Sequence, residues 1–208
     1  MAPLVGFVPT GVPQPRLALV TSGPRDVAAL VAAIEPCDDT ERAHQADVLA
    51  WLASTPDVYR RAKPATPPRH LVSYAVLAGP RDGSVFLVDH RLAGRWLPAG
   101  GHVEPLEDPA VTAEREAREE LGIEADFSVA GRRPVFVTVT PTVGPDSHTD
   151  VSLWYLLAGQ PGMPIVLDPR EFAGGRWWTG PQLDSADPAL FDPGMSRFLA
   201  KVRGQPPA

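Results

Sequence analysis

Disulfides within the chain are excluded from the outset, because Cys37 is the only cysteine among its 208 residues. Such cysteine usage fits a reducing compartment. Long apolar runs are also missing, and none approaches the roughly 20 residues that a membrane-spanning helix needs. Positive charge is in deficit: 19 Lys and Arg stand against 25 Asp and Glu, a net charge of -6. A protein that tracks a nucleic-acid polymer needs a basic face, so that class falls away. Residues 1–20 are apolar, yet they lack a basic start and are broken by Pro3, Pro9, Pro13 and Pro15. That pattern argues against a signal peptide. The expectation is a cytoplasmic protein with a small-molecule partner and neither membrane nor nucleic acid.

Proline and glycine, by contrast, are plentiful at 25 and 18 residues, which predicts short elements and many loops. Residues 24–35 and 39–54 read as helices. The second opens on Asp38-x-x-Glu41, the spacing of a capping box, and carries Ala46, Leu49, Ala50 and Ala53 along one face. The following RRAKPATPPRH reads as a stiff extended linker. From His70 the character changes. LVSYAVL and SVFLVDH are strands of a hairpin joined by GPRDG, and PVFVTVT, DVSLWYLL and GRWW are further strands. PALFDPGMSRFLAKVR ends the chain as an interrupted helix. Strand alternation predicts that one residue of Trp154-Tyr155 and one of Trp177-Trp178 faces the core and the other points outward. The pattern as a whole predicts an α+β domain over residues 67–208, behind a helical extension and linker over 1–66. Val27, Leu30, Val31, Leu49, Trp51 and Leu52 give that extension apolar stripes. They predict packing against the domain, or against a second copy in a homodimer, rather than a free tail.

The run GHVEPLEDPAVTAEREAREELGI, from Gly101 to Ile123, carries the chemistry. Asp108-Pro109 signals a helix start, with Asp as N-cap and Pro at the first helical position. Gly122 supplies a left-handed stop. In between, Glu116, Glu119 and Glu120 fall at i, i+3 and i+4, so their carboxylates share one helix face. Ala110, Ala113, Ala117 and Leu121 form a neighbouring stripe narrow enough for close approach to a sheet. Like charges gathered this way repel, and divalent cations with a taste for hard oxygen, Mg²⁺ or Mn²⁺, would neutralise them. Gly100-Gly101 lets the backbone come close to the cluster. Taken alone, EREAREE reads as a solvated face, with Glu114 and Arg118 as an i,i+4 pair. Its fixed distances from Gly101, Glu107 and Gly122 overturn that reading.

The pattern G-x5-E-x7-R-E-U-x-E-E-x-G-U, with U apolar, resembles the signature of the Nudix hydrolases, which cleave a nucleoside diphosphate linked to another group. The resemblance covers about residues 68–203. It implies an α/β/α sandwich with a mixed sheet. It also implies that Glu116, Glu119 and Glu120 ligate metal together with the carbonyl of Gly100, that Glu116 is the general base, and that Arg115 orients carboxylates with Glu107 as its ion-pair partner. A further acid outside the box is implied at Glu171, six residues before Trp177 as in the mutator-type 8-oxo-dGTP diphosphatases, with Asp146 and Asp150 as rivals. The activity implied is Mg²⁺-dependent hydrolysis of a nucleoside triphosphate, plain or modified, to monophosphate and pyrophosphate. The alternatives are a nucleoside-diphosphate-sugar hydrolase acting on substrates like ADP-ribose, and a nucleotide sensor that does not cleave. Two departures concern loop shape: Ala99 stands where relatives usually have Pro, and Leu106 where many have Gly.

Beyond the box, Arg91, Arg95 and His102 flank or follow the glycine loop and are candidates for phosphate contact. Asp146, His148 and Asp150 fall short of a hydrolase triad or a metal motif, since no serine sits in a nucleophile elbow and no paired histidine spacing exists.

Overall fold

A computed structural model of the chain describes residues 22–63, 65–79, 83–142 and 147–204. Two helices, α1 (Pro24–Ala32) and α2 (Asp39–Ser54), precede strands β1 (Arg69–Ala78), β2 (Val85–His90), β3 (Arg95–Leu97) and β4 (Ala99–His102). Helix α3 (Pro109–Leu121) then leads to β5 (Phe136–Pro141), β6 (Thr149–Ala158) and β7 (Phe172–Trp178). The short α4 (Gly180–Ser185), a 3-10 turn (Pro188–Leu190) and α5 (Met195–Val202) close the described chain. The strands make one mixed sheet in the order β3-β2-β1-β6-β5, with β4 also pairing β1 and β7 pairing β2. Only β1 and β6 run parallel among these pairs. The parallel pair needs a crossover, and α3 lies within it.

Both faces of the sheet are covered. On one, Leu71, Ala75 and Leu77 of β1 pack with Ala110, Ala113, Ala117 and Leu121 of α3 and with Val27, Val31, Val48 and Leu52 of the first two helices. On the other, Val76, Trp154 and Leu156 pack with Leu183 of α4 and with Met195, Phe198 and Leu199 of α5. Double coverage corrects the reading of the paired aromatics. Trp154 and Tyr155 are both wholly buried, one in each layer, and Trp178 is buried while Trp177 is half-buried.

Helix α2 lies along the edge strand β5 and buries a different face from the one its alanines suggested. Glu41, Val48 and Leu52 are buried, with His44 and Gln45 half-buried, whereas Ala46, Ala50 and Ala53 are exposed. The capping box is half made. Asp38 caps Glu41 N–H, but the Glu41 carboxylate accepts from Cys37 N–H at 2.8 Å instead of from its own N-cap. That carboxylate is 0% exposed and takes Lys201 Nζ of α5 at 2.8 and 3.0 Å. Asp38 likewise takes Arg197 at 2.7 and 3.2 Å. Cys37 beside it is a poor nucleophile, because burial and the Glu41 carboxylate push its thiol up to about 11. Lys201→Ala would leave the buried Glu41 charge without its cation, so it should cost about 3–5 kcal/mol. Adding Glu41→Gln should recover part of that loss; a denaturation midpoint unchanged by Lys201→Ala would refute the pairing.

Val58 and Tyr59, just before the linker, join the core, and within the linker Arg61 N–H donates to Thr66 O at 2.8 Å. Pro64 lies outside the described residues, as does most of the GPRDG turn between β1 and β2. Helix α4 was not anticipated, although Thr179-x-x-Gln182 forms a reciprocal capping box with Pro at its start.

Candidate active site

Helix α3 forms as its sequence predicts. The Asp108 carboxylate accepts from Ala110 N–H at 2.8 Å, Pro109 opens the first turn, and Gly122 ends the helix in the left-handed region at φ 66°. Its small stripe lets it lie close over β1 and β4, and two glycines make the approach possible. A Cβ on Gly101 would overlap the Glu116 carboxylate, and one on Gly100 would overlap the Ser73 carbonyl and Tyr74. Freed of that obstacle, Gly100 N–H donates to Glu120 Oε2 at 2.8 Å.

Arg115 ties the carboxylates together. Its Nε and Nη2 reach the two oxygens of Glu107 at 3.2 and 3.1 Å, the bidentate arrangement that suits guanidinium. Its Nη1 donates to Glu116 Oε1 at 2.6 Å and to Glu119 Oε2 at 3.2 Å, and Nη2 also reaches His102 O at 3.2 Å. Burial alone would raise Glu107, but hydrogen bonds from Arg115, Thr112 and the Glu104 N–H outweigh it and hold Glu107 below the usual carboxylate range.

Beyond this network opens a cleft of ≈ 760 Å³. Glu104, Glu116, Glu120 and Glu171 supply its acids, Gly100, Gly101 and His102 line it as well, and Arg60, Lys63, Arg91, Arg115 and Arg170 supply its cations. Burial raises Glu116 despite the neighbouring Arg115. It pushes Glu120 up to about 8, against the Gly100 hydrogen bond and reinforced by the charges of Glu116, Glu171 and Glu119. Buried carboxylates that raise one another in this way fit a divalent cation, because it would remove the repulsion and match the hard oxygen donors. Burial also pushes His102 down to about 3, so it is neutral.

Glu171 reaches the cleft because the turn before β7 is fastened to β2, with Arg91 N–H donating to Glu171 O at 3.0 Å beside a bulge at Asp89 and His90. Arg91 lines the cleft with its Nε on Pro169 O at 3.1 Å. Other residues named from the sequence do not line the cleft among the described residues. Glu119 sits at the outer edge with its side chain 59% exposed, and Arg95 on β3 acts on Asp192 rather than on the cleft. Asp150 faces three histidines instead of the α3 carboxylates, and Asp146 lies outside the described residues. Glu114 and Arg118 do not pair: Glu114 takes Arg132 and Arg118 takes Glu124, each at 3.0 Å. Arg60 and Lys63 were missed because the basic run RRAK was read as part of a spacer. Arg170 was missed as well.

Leu106 explains one departure in the loop. It adopts φ 64°, a left-handed conformation that costs an L-residue on the order of 1 kcal/mol and glycine little, and its side chain is 53% exposed. Leu106→Gly should therefore raise the melting temperature by a few degrees. A lower melting temperature would mean that the side chain contributes more than the strain it causes.

A family model described as the NUDIX domain matches residues 68–202. The chain belongs to this family. It is accordingly a pyrophosphohydrolase. None of the curated proteins matches it. Among solved structures, a NUDIX-family hydrolase from Clostridium perfringens is 21% identical, with 65% of this chain and 98% of that one covered at a TM-score of 0.48. The E. coli dihydroneopterin triphosphate pyrophosphohydrolase is 18% identical over 69% and 96% of the two chains, with a TM-score of 0.50. The NUDIX domain of Shewanella oneidensis NrtR, complexed with ADP ribose, is 15% identical over 64% and 86%, also at 0.50. At these identities the likeness to the latter two is one of fold.

Proposed function

We propose that this NUDIX protein hydrolyses a pyrophosphate bond of a nucleoside diphosphate derivative, with a plain or modified nucleoside triphosphate as substrate and monophosphate and pyrophosphate as products. The observation that supports the reading is the cleft's pairing of charge, with the carboxylates of Glu104, Glu116, Glu120 and Glu171 and the cations of Arg60, Lys63, Arg91, Arg115 and Arg170 along one lining. The acids suit divalent metal ions and the cationic side chains suit phosphate oxygens. Glu116, Glu120, Glu171 and the Gly100 carbonyl would hold Mg²⁺, with Mn²⁺ as a substitute and Glu119 joining from the edge. Bound there, the ion supplies Lewis-acid stabilisation of charge on the phosphate oxygens.

In this reading Glu116 takes the proton from the attacking water. Arg115, 2.6 Å away, favours its ionised form and fixes its orientation. Glu107 in turn fixes Arg115. The Gly100 N–H orients Glu120, and Arg60, Lys63 and Arg91 bind the polyphosphate. The test is release of pyrophosphate or phosphate from a panel of nucleoside triphosphates, nucleoside diphosphate sugars and dinucleoside polyphosphates, with and without Mg²⁺. Mg²⁺-dependent turnover of triphosphates is expected. Preference for an ADP-ribose-like compound would shift the substrate class, and tight binding without turnover would make the protein a sensor.

Glu171→Gln should raise the Mg²⁺ concentration for half-maximal turnover by about tenfold or more, with little change in melting temperature. Its exposed side chain contributes little to folding. An unchanged Mg²⁺ requirement would remove Glu171 from the metal shell.

A further inference from the structure

On the face of the sheet away from α3, His70 of β1, His102 of β4, and His148 and Asp150 at the start of β6 converge. One ligand atom from each lies within 4.8 Å of all the others. Strand register brings them together. His70 stands opposite Asp150 in the parallel pair, and His102 stands opposite Val72, two residues along β1 on the same face.

The ring nitrogens are already sorted. His70, 0% exposed, has Nδ1 3.0 Å from the Pro67 carbonyl. Only a protonated nitrogen can bond a carbonyl, so Nδ1 carries a proton, which in the neutral ring leaves Nε2 with the lone pair; Nε2 faces Asp150 Oδ1 at 3.4 Å. His148 has Nδ1 3.2 Å from Thr142 Oγ1 and Nε2 3.1 Å from the same Asp150 oxygen. Among the described residues, His70 Nε2, Asp150 Oδ1 and His102 Nε2 are nonetheless buried without a hydrogen bond. Three orphaned polar atoms in one spot are costly, and each such group in a folded protein calls for a ligand, an ion or a water.

We propose that these four side chains form a second metal site, beside the carboxylate cleft that His102 also lines, for a zinc-type divalent cation. Three imidazoles and one carboxylate are a zinc donor set, whereas the all-oxygen cleft suits magnesium. Tetrahedral bonds of about 2.0–2.1 Å would require each ligand atom to move inward by less than about 1 Å. Pro67 O and Thr142 Oγ1 act as the outer partners that orient metal-binding histidines. With four protein ligands the coordination shell is closed, so the ion would be structural. It would join β1, β4 and β6 two residues from Gly100, whose N–H holds Glu120.

Full-length protein, stripped with a chelator and returned to excess Mg²⁺, is titrated with Co²⁺, whose visible absorption reports tetrahedral sites, and with competing Zn²⁺. One equivalent should bind, and Glu116→Gln, which alters only the cleft, should bind it as wild type does. Replacing His70, which is wholly buried, risks the fold, so the diagnostic variants are His148→Gln and Asp150→Asn. Each should weaken Co²⁺ and Zn²⁺ binding by at least about tenfold and reduce the Zn²⁺-induced rise in melting temperature. The proposal is overturned if no tetrahedral Co²⁺ spectrum forms, if both variants bind like wild type, or if Glu116→Gln loses the ion.

Discussion

Glu120→Gln should leave the fold intact and lower turnover by at least about a hundredfold. The substitution keeps the side chain's volume and an oxygen for the Gly100 N–H, so packing and the glycine loop survive. It removes the anionic charge of the carboxylate at the centre of the cleft. The same change has an opposite effect on stability when metal is withheld. Burial pushes Glu120 up to about 8 in the folded protein, against about 4.3 in an unfolded chain. A carboxyl raised by folding binds its proton more tightly in the native state. Its contribution is therefore fully present below the unfolded value and is lost as pH rises through about 8. Metal-free wild type should melt at a lower temperature at pH 9 than at pH 6, with Mg²⁺ restoring stability at the alkaline end. The variant should lose most of that slope; Glu116 and Asp192, also raised by burial, keep a remainder. Turnover within a few-fold of wild type would sink the assignment of Glu120, whatever its melting curve.

The box was legible because its physics is local. A cap, a terminal glycine and the 3.6-residue repeat determine where Glu116 and Glu120 point, and all three signals lie within one short segment. Glu171 was reached only through its spacing from Trp177, and the structure brings it beside Glu120 because β7 pairs with β2. Arg60 and Lys63 left no usable signal, since a basic run beside prolines reads as a solvated spacer until Val58 and Tyr59 are seen to be buried. The histidine cluster was hidden more completely. Its members come from three strands, and they meet only once β1 pairs with β6 in parallel and with β4 in the opposite sense. No spacing of histidines along the chain encodes that meeting. The face of α2 was misjudged for a related reason: Ala46, Ala50 and Ala53 are good helix formers, but the buried side was chosen by Val48, Leu52 and the Glu41–Lys201 pair.

Deleting residues 1–66 should leave a chain that unfolds, aggregates or self-associates under conditions where the full protein is folded. Val27, Val31, Ile34, Val48, Leu52, Val58 and Tyr59 are nearly inaccessible and share one core with α3 and the sheet. Each such side chain contributes roughly 1.5–3 kcal/mol when fully buried, so together they rival the roughly 5–15 kcal/mol by which a domain is stable. Polar attachments reinforce the packing. Ser22 N–H donates to Leu106 O at 3.0 Å and Ser22 Oγ to Asp108 at 3.1 Å, which fastens the segment to the loop and cap of α3. Tyr59 OH donates to Ser22 O at 2.6 Å, and Leu71 N–H donates to Val58 O at 2.9 Å. Truncation would also strand Lys201 and Arg197 of α5 and remove Arg60 and Lys63 from the cleft. The expected readouts are a melting temperature lower by ten degrees or more, on the order of several kcal/mol, or a shift to dimers in sedimentation. Any surviving activity should show a raised KM. A truncated chain that melts within about two degrees of the full protein, a difference of under about 1 kcal/mol, sediments as it does and hydrolyses its substrate with equal efficiency would show that the extension is no part of the catalytic core.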